Sequence, residues 1–320
     1  MRIAVLIPCF NEEVAIQHVL RDFHNVLPGA QLYVYDNNSR DRTVAWARAG
    51  GAIVRSETMQ GKGHVIRRMF SDVEADVYVL VDGDNTYQAA AAPHMIEMLL
   101  TQSLDMVVGR RVAVASGAYR PGHRLGNRLL TGVVAAVFGR RTNDMLSGYR
   151  VFSRRFVKSF PALSRGFEIE TELTVHALEL RLPIADFDTD YFDRMPGSQS
   201  KLSTVKDGVR ILATIAALIK EERPMQFFGL ASVLLALLSL GLIYPVFLDY
   251  LRTGLVPRFP TAILSAAIMI AAILSLFCGL ILDSVTHGRR EIKRLAYLAQ
   301  QSVAIGTRVD EVRSGVLTVS

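Results

Sequence analysis

Between residues 75 and 85 the chain reads Ala-Asp-Val-Tyr-Val-Leu-Val-Asp-Gly-Asp-Asn, a short Val-rich run that empties into two carboxylates separated by one glycine. An apolar run of this kind predicts a strand buried on both faces, the habit of parallel sheets covered by helices. Asp82 and Asp84 then fall at the strand's carboxyl end, where open α/β sheets bind their ligands. Two carboxylates at that spacing can share a hard divalent cation that carries phosphate oxygens. The competing reading is a plain strand-to-helix turn, since Asp and Gly are common turn residues.

The flanking sequence repeats the pattern. Residues 3–7, 32–35, 52–54 and 105–108 read as strands, and residues 12–26, 41–49, 62–72 and 92–101 as helices. Such alternation predicts a Rossmann-like α/β domain with a mostly parallel sheet. Where the first strand ends, Pro8 has no amide to leave unpaired, Asn11 reads as a helix N-cap and Glu12 as a first-turn acid. From 110 to 203 the pattern loosens into a loop at 117–122, an amphipathic helix at 124–138, a strand at 149–152, a helix at 168–180, a strand at 184–192 and a turn-rich stretch at 194–201.

Two later segments, 227–248 and 262–282, are nearly free of charge and each about 20 residues long, enough to span a bilayer core. A buried hairpin of a soluble protein is the alternative. Lys220 and Arg223 precede the pair, and Arg289, Arg290, Lys293 and Arg294 follow it. The positive-inside rule puts both ends, and the N-terminal domain, in the cytoplasm. Residues 205–222 carry Val209, Leu212, Ile215 and Ile219 on one helical face, which predicts a helix lying in the membrane interface. The division is therefore a catalytic domain at 1–203, an interfacial helix at 204–224, two membrane helices within 225–284, and a basic helix and tail at 285–320. The first strand starts too early to leave room for a signal peptide.

The formal net charge is +6, and the basic residues crowd the flanks of the apolar pair. That points to a membrane surface or phosphorylated ligands; without an aromatic-interleaved platform, nucleic acid is not an expected partner. Cys9 ends a buried strand and Cys278 lies in an apolar span, so neither a disulfide nor a cysteine metal site is expected. There is no G-x-G-x-x-G for a dinucleotide. Gly61-Lys62-Gly63 is no Walker loop, because Ser56 occupies the earlier glycine position and His64 follows where Ser or Thr is needed. Asp36, ending the second strand, is placed to accept hydrogen bonds from a base or ribose. Asx-turn and capping chemistry is the alternative, and it accounts for Ser39 or Asp41. Glu168, Glu170 and Glu172 read as helix-dipole acids, with contact of one of them to the sugar as the alternative. His64, His94, His123 and His176 show no ligand spacing.

Taken in order, Ile-Pro-Cys-Phe-Asn-Glu-Glu at 7–13, Asp-Asn-Asn-Ser-Arg-Asp-Arg-Thr at 36–43, Gln-Gly-Lys-Gly at 60–63 and Asp-Gly-Asp at 82–84 resemble family 2 glycosyltransferases of the GT-A fold. Asn-Asp-Met-Leu-Ser-Gly-Tyr-Arg at 143–150 and the stretch 194–201 resemble the polyprenyl-phosphate branch, which includes dolichyl-phosphate mannose synthases and bacterial undecaprenyl-phosphate sugar transferases. The resemblance covers roughly residues 1–203. Asp-Asn-Asn-Ser stands where many relatives have Asp-Asp-Gly-Ser. The resemblance implies that Pro8, Asn11, Glu12, Asp36, Asn38, Lys62 and Asp82 bind the nucleotide-sugar, and that Asp82 and Asp84 hold Mg²⁺ or Mn²⁺ against its diphosphate. It implies that Arg110, Arg124 and Arg128 receive a lipid phosphate and that Arg194 and Lys201 close over the diphosphate. Asp144 becomes a catalytic carboxylate, as base or as orienting group, while Arg111, Arg140 and Arg141 are left to the membrane surface.

The expectation is an inverting transferase in a bacterial inner membrane, spanning it more than once, with its catalytic domain and both termini cytoplasmic. It moves one sugar from UDP-N-acetylglucosamine or UDP-glucose, with GDP-mannose next, onto polyprenyl phosphate; homo-oligomerisation is left open. The rivals are a processive polysaccharide synthase and an inactive membrane scaffold. The synthase needs a Gln-x-x-Arg-Trp signature, and the sole tryptophan here is Trp46.

Overall fold

A computed structural model describes residues 1–113, 132, 144–163, 166, 168–195, 217, 220 and 223–300. Arg124, Arg128, Arg140, Arg141 and Lys201 lie outside the described residues, as do nearly all of the helices expected at 124–138 and 205–222.

The described chain forms two compact units, Met1–Ile211 with Lys293–Ser320, and Leu212–Ile292. In the first, β1 (Ile3–Cys9) runs parallel to β2 (Gln31–Asp36) on one side and to β4 (Val77–Leu80) on the other, and β3 (Ile53–Ser56) extends the sheet beyond β2. Past β4 comes β6 (Arg150–Ser153), antiparallel to both β4 and β5 (Met106–Ala113), and β7 (Ile184–Tyr191) closes the edge parallel to β5. The seven-stranded order is β3-β2-β1-β4-β6-β5-β7. The sheet is thus mostly parallel, with β6 inserted in the opposite sense.

Alternate side chains feed two cores, because successive strand residues face opposite ways. Val5, Ile7, Val79, Val107 and Val151 pack beneath α1 (Ile16–Val26) and α4 (Ala91–Thr101). Ala4, Leu6, Tyr78, Leu80, Met106 and Phe152 pack beneath α3 (Lys62–Asp72), α5 (Arg154–Ser159) and α6 (Ile169–Glu179). The short helix α2 (Thr43–Ala49) follows β2. Val77 to Leu80 are all buried, as a strand covered on both faces requires.

The second unit is built from α7 (Pro224–Thr253) and most of α8 (Phe259–Leu298), both long and apolar enough to cross a membrane. Gly254, at φ 66, ends α7 by returning its N–H to the Tyr250 carbonyl at 2.8 Å. The buried positions recur every seven residues: Ser232, Ser239 and Val246 on α7, and Ser265, Ala272, Gly279 and Thr286 on α8. That period makes the small and hydroxyl side chains one seam, the packing favoured between helices in lipid. The Ser239 hydroxyl donates to the Ser265 carbonyl at 2.8 Å and the Ser265 hydroxyl to that of Ser239 at 3.1 Å. Leucines such as Leu230, Leu234, Leu237, Leu274 and Leu280 lie exposed.

One boundary differs from expectation. No break separates the apolar span from a basic helix after residue 284; α8 continues to Leu298, running straight through Gly288 with no proline to stop it. Its last turns belong to the first unit, where Lys293 Nζ donates to Glu179 Oε2 at 2.6 Å and the Tyr297 hydroxyl to Asp105 Oδ2 at 2.8 Å.

Candidate active site

Cys9 pairs with Asp36 across β1 and β2, so the loops that follow leave the sheet side by side. They brace each other. Asn11, at φ 54, donates its N–H to Ser39 Oγ at 2.8 Å and accepts the Arg40 N–H at 2.8 Å, and Glu12 donates its N–H to Thr43 Oγ1 at 2.8 Å. The expected N-cap role of Asn11 is corrected here. A left-handed residue cannot supply the extended geometry of a cap, and α1 begins only at Ile16. Asp41 does form the Asx turn, accepting the Thr43 N–H at 3.0 Å. Pro8 sits inside the end of β1, its carbonyl close to Gly83.

Asp36 is 5% exposed; Oδ2 accepts the Ser39 N–H at 3.2 Å, while Oδ1 is buried with no partner among the described residues. Such an orphan acceptor costs free energy unless a ligand's donor meets it. Asn37 explains the departure from Asp-Asp-Gly-Ser. Its amide donates to the carbonyls of Glu57 and Met59, each at 2.8 Å, and its oxygen accepts the Gly61 N–H at 2.7 Å. Asn38, at φ 65, donates to the Thr58 carbonyl at 2.9 Å. Both amides therefore clip the loop that delivers Lys62.

At the end of β4 the geometry is set by two glycines. A Cβ on Gly83 would lie 2.6 Å from Cys9 Sγ, and one on Gly148 would collide with the Asp82 carboxylate. Lys62 Nζ lies 2.5 Å from Asp82 Oδ1 and 2.5 Å from Glu170 Oε1. Burial opposes its charge, yet Asp82 and Glu170 together hold its pKa above the usual lysine range. Asp84 is buried; Oδ1 accepts the Thr86 hydroxyl at 2.7 Å, and Oδ2 pairs with Arg194 at 2.6 Å. Burial first, and then the Asp82 charge, push the Asp84 carboxyl upward, with Arg194 opposing. The chain after β7 is drawn onto this loop, since Phe192 donates its N–H to the Thr86 carbonyl at 2.9 Å and Tyr191 bridges Tyr87.

On β5 two neighbouring arginines face opposite sides of the sheet. Arg110 shares a face with Met106 and Val108 and is held by both oxygens of Asp188, its register partner on β7. Arg111 shares the face of Val107 and turns inward. Its Nε and Nη2 donate to the two oxygens of Asp144, each at 2.7 Å, and its guanidinium lies 5.6 Å from the centre of the Tyr191 ring. The expected membrane-surface role of Arg111 is thereby corrected; its side chain is 15% exposed and Asp144's is 3%. Strand parity carried the signal, since residue 111 follows 107 and 109 on one face. Arg150 is wholly buried and ties the 144–149 loop down, donating to the carbonyls of Ser147 at 2.9 Å and Met145 at 2.7 Å; burial lowers its pKa to about 10.

Glu170, read from the sequence chiefly as a helix-dipole acid, is the other residue that the structure moves. It is 5% exposed and lies in the site rather than serving as a mere dipole acid. Leu173 and Ala177, three and seven residues on, belong to the core stripe of α6, so a carboxylate in that stripe was the available clue.

Among the described residues no group of three or more His, Cys, Asp or Glu forms a metal cage. Mg²⁺ or Mn²⁺ needs only one or two carboxylates when substrate phosphates complete its shell. Asp82 and Asp84 fit that requirement, each being already matched to a cation, Lys62 and Arg194 respectively.

Comparisons with known proteins place the fold and the family. The profile of glycosyl transferase family 2 matches residues 4–160. An uncharacterized protein of Shigella flexneri is 59% identical over 49% of this chain and 97% of its own length. The glycosyltransferase AglJ of Haloferax volcanii is 30% identical over 92% of this chain and 98% of its own length. More distant relatives include a dolichyl-phosphate hexose transferase of the same archaeon, a dolichol-phosphate mannosyltransferase of Pyrococcus furiosus and an undecaprenyl-phosphate mannosyltransferase of Micrococcus luteus. Glucosyl-3-phosphoglycerate synthase of Mycobacterium tuberculosis, solved with Mn²⁺, UDP-glucose and phosphoglyceric acid, shares the fold with a TM-score of 0.56 at 23% identity, over 68% of this chain and 79% of that one. A GT-A-like sheet and a relative matched along almost its whole length leave one conclusion: the chain is an enzyme that belongs to glycosyl transferase family 2.

Proposed function

We propose that the protein is a membrane-anchored inverting transferase that moves one sugar from a nucleotide-sugar to polyprenyl phosphate. The observation that carries the reading is the paired array Lys62–Asp82, Arg194–Asp84 and Arg111–Asp144 at one edge of a sheet, in a chain that also carries two membrane-length helices. The transfer brings together two anions, the phosphate nucleophile and the diphosphate leaving group. Cations fixed on both sides offset their repulsion and set the line of attack. A divalent metal held by Asp82 and Asp84 would neutralise charge on the departing diphosphate.

The chain's own residues do the rest. Asp36 receives a base N–H through its orphan oxygen, and Arg194 shifts from Asp84 to the diphosphate when donor arrives. Arg111, rather than Arg110, meets the acceptor phosphate from β5, joined by Arg124 and Arg128. A phosphate is already ionised at neutral pH, so no strong base is needed. Asp144, gripped by both arms of Arg111, orients that guanidinium instead of taking a proton. In-line displacement on an α-linked donor gives a β-linked lipid monosaccharide. The Mn²⁺ and UDP-glucose of the mycobacterial neighbour support a divalent metal and a UDP-sugar, and the polyprenyl-phosphate relatives support the acceptor.

The test is incubation of purified protein with Mg²⁺ or Mn²⁺, undecaprenyl phosphate and radiolabelled UDP-N-acetylglucosamine, UDP-glucose or GDP-mannose. A lipid-soluble monosaccharide is expected, and Asp84→Ala should abolish it. Long polymer would point to a synthase. Silence from folded protein with every donor would point to a scaffold.

A further inference from the structure

We propose that Glu170 is a positioning residue that sets the divalent-cation affinity of the Asp82–Asp84 pair by sharing Lys62 with Asp82. The inference rests on the metal-assisted reading above and adds to it a residue from α6. Lys62 and Glu170 are 108 positions apart in the chain, yet Lys62 Nζ stands 2.5 Å from both Glu170 Oε1 and Asp82 Oδ1. Glu170 Oε2 is buried with no hydrogen-bond partner among the described residues, so there its carboxylate acts through one oxygen and on Lys62.

Removing three charges from water is expensive, and a simple Lys–Asp pair at the surface would hold the loop at lower cost. The third member changes the charge balance. One ammonium between two carboxylates leaves the group with one net negative charge beside Asp84. Without the Glu170 charge, Lys62 closes on Asp82 as a neutral pair, and Asp82's pull on a metal weakens. A purely structural Glu170, stabilising the first turn of α6, has no such consequence for the metal.

The experiment measures binding of Mn²⁺ to purified full-length protein in the presence of UDP or GDP, by the electron paramagnetic resonance signal of free Mn²⁺ against a nucleotide-only control. Glu170→Gln keeps the side-chain shape and should weaken Mn²⁺ binding about tenfold or more, the scale of one unit charge at a partly buried site. Lys62→Met added to Glu170→Gln should restore affinity to within about threefold of wild type, because non-additivity of this kind marks groups that act through one another. Circular dichroism and thermal unfolding check that each variant is folded. Should the double variant not fold, Glu170→Gln placed in an Asp82→Asn background decides the matter, and there it should cause no further loss. Unchanged affinity in Glu170→Gln, a folded double variant without recovery, or a further loss in the Asp82→Asn background overturns the inference and leaves the metal reading standing. Wild-type protein that does not bind Mn²⁺ overturns both.

Discussion

Asn37 shows how one atom type can decide a loop. Its side-chain nitrogen faces two carbonyls, and a carboxylate in its place would present a buried negative charge to both. Asn37→Asp should therefore destabilise the catalytic unit by about 2–4 kcal/mol, the cost of unmade buried hydrogen bonds plus an unpaired charge. Denaturant unfolding measures it, and wild-type stability in that variant would refute the account. The Asn in this motif is legible in the sequence, but its partners, some twenty residues away, are not. Arg110 and Arg111 make the same point in reverse. Both are adjacent arginines after a Val-rich run, and only strand register decides which one enters the site. Arg111→Gln should raise the apparent KM for lipid phosphate about tenfold or more, as loss of a charge-assisted contact does. Arg110→Gln, which gives up only an exposed pair with Asp188, should leave that KM within about twofold. Equal effects would return the phosphate contact to Arg110.

Helix α6 collects two buried titratable groups on one element. Glu170 opens it toward the site, and His176 lies two turns on, 2% exposed, between the rings of Phe156 and Phe160 at 5.5 and 5.3 Å. Neither ring nitrogen of His176 has a hydrogen-bond partner among the described residues. Burial, and after it the charge of Lys293 on α8, lower its pKa to about 3. The sign follows from where the proton binds. Unfolded His176 takes up a proton near the usual value of about 6.5, whereas the folded residue resists until about 3, so stability is lost as pH falls below about 6.5. The slope approaches about 1.4 kcal/mol per pH unit. His176→Phe removes that term. The stability difference between wild type and variant should shrink or reverse against the wild type from pH 7.5 to pH 5 in detergent-solubilised unfolding, since shared carboxylates cancel; a pH-independent difference would refute it. At this scale the sequence was most informative. Period-two and helical spacing located the strands and helices of the first 110 residues to within a few positions. It was least informative about α1, where a left-handed Asn11 moved the start by a turn, and about α8, which absorbed a segment that charge alone had set apart.

If the apolar pair anchors the protein as proposed, two independent arguments bear on its topology in a bilayer. By the positive-inside rule the flanking Lys and Arg residues would put both ends of the apolar pair on the cytoplasmic side. The structure adds a stricter one. Lys293–Ser320 is part of the same compact unit as Met1–Ile211, with Lys293 on Glu179, Tyr297 on Asp105 and the Arg155 guanidinium 4.9 Å from the Tyr297 ring centre. One folded unit cannot be split across a membrane, so the segment between its parts must cross an even number of times. At 1.5 Å per residue, the 30 residues of α7 and the 40 of α8 each exceed a hydrocarbon core of about 30 Å. The proposed anchoring then predicts two crossings, with the connector around Gly254 on the far face. Alkaline phosphatase, active only outside the cytoplasm, should be active when fused at Gly254, and green fluorescent protein should fluoresce when fused after Ser320. The protein should also stay in the membrane pellet after alkaline carbonate. An inactive fusion at Gly254 with a carbonate-soluble chain would make the pair a soluble hairpin, and the lipid acceptor would lose its physical basis. Alkaline phosphatase that is active after Ser320 as well as at Gly254 would break the unit that Lys293 and Tyr297 join, and the even-crossing argument with it.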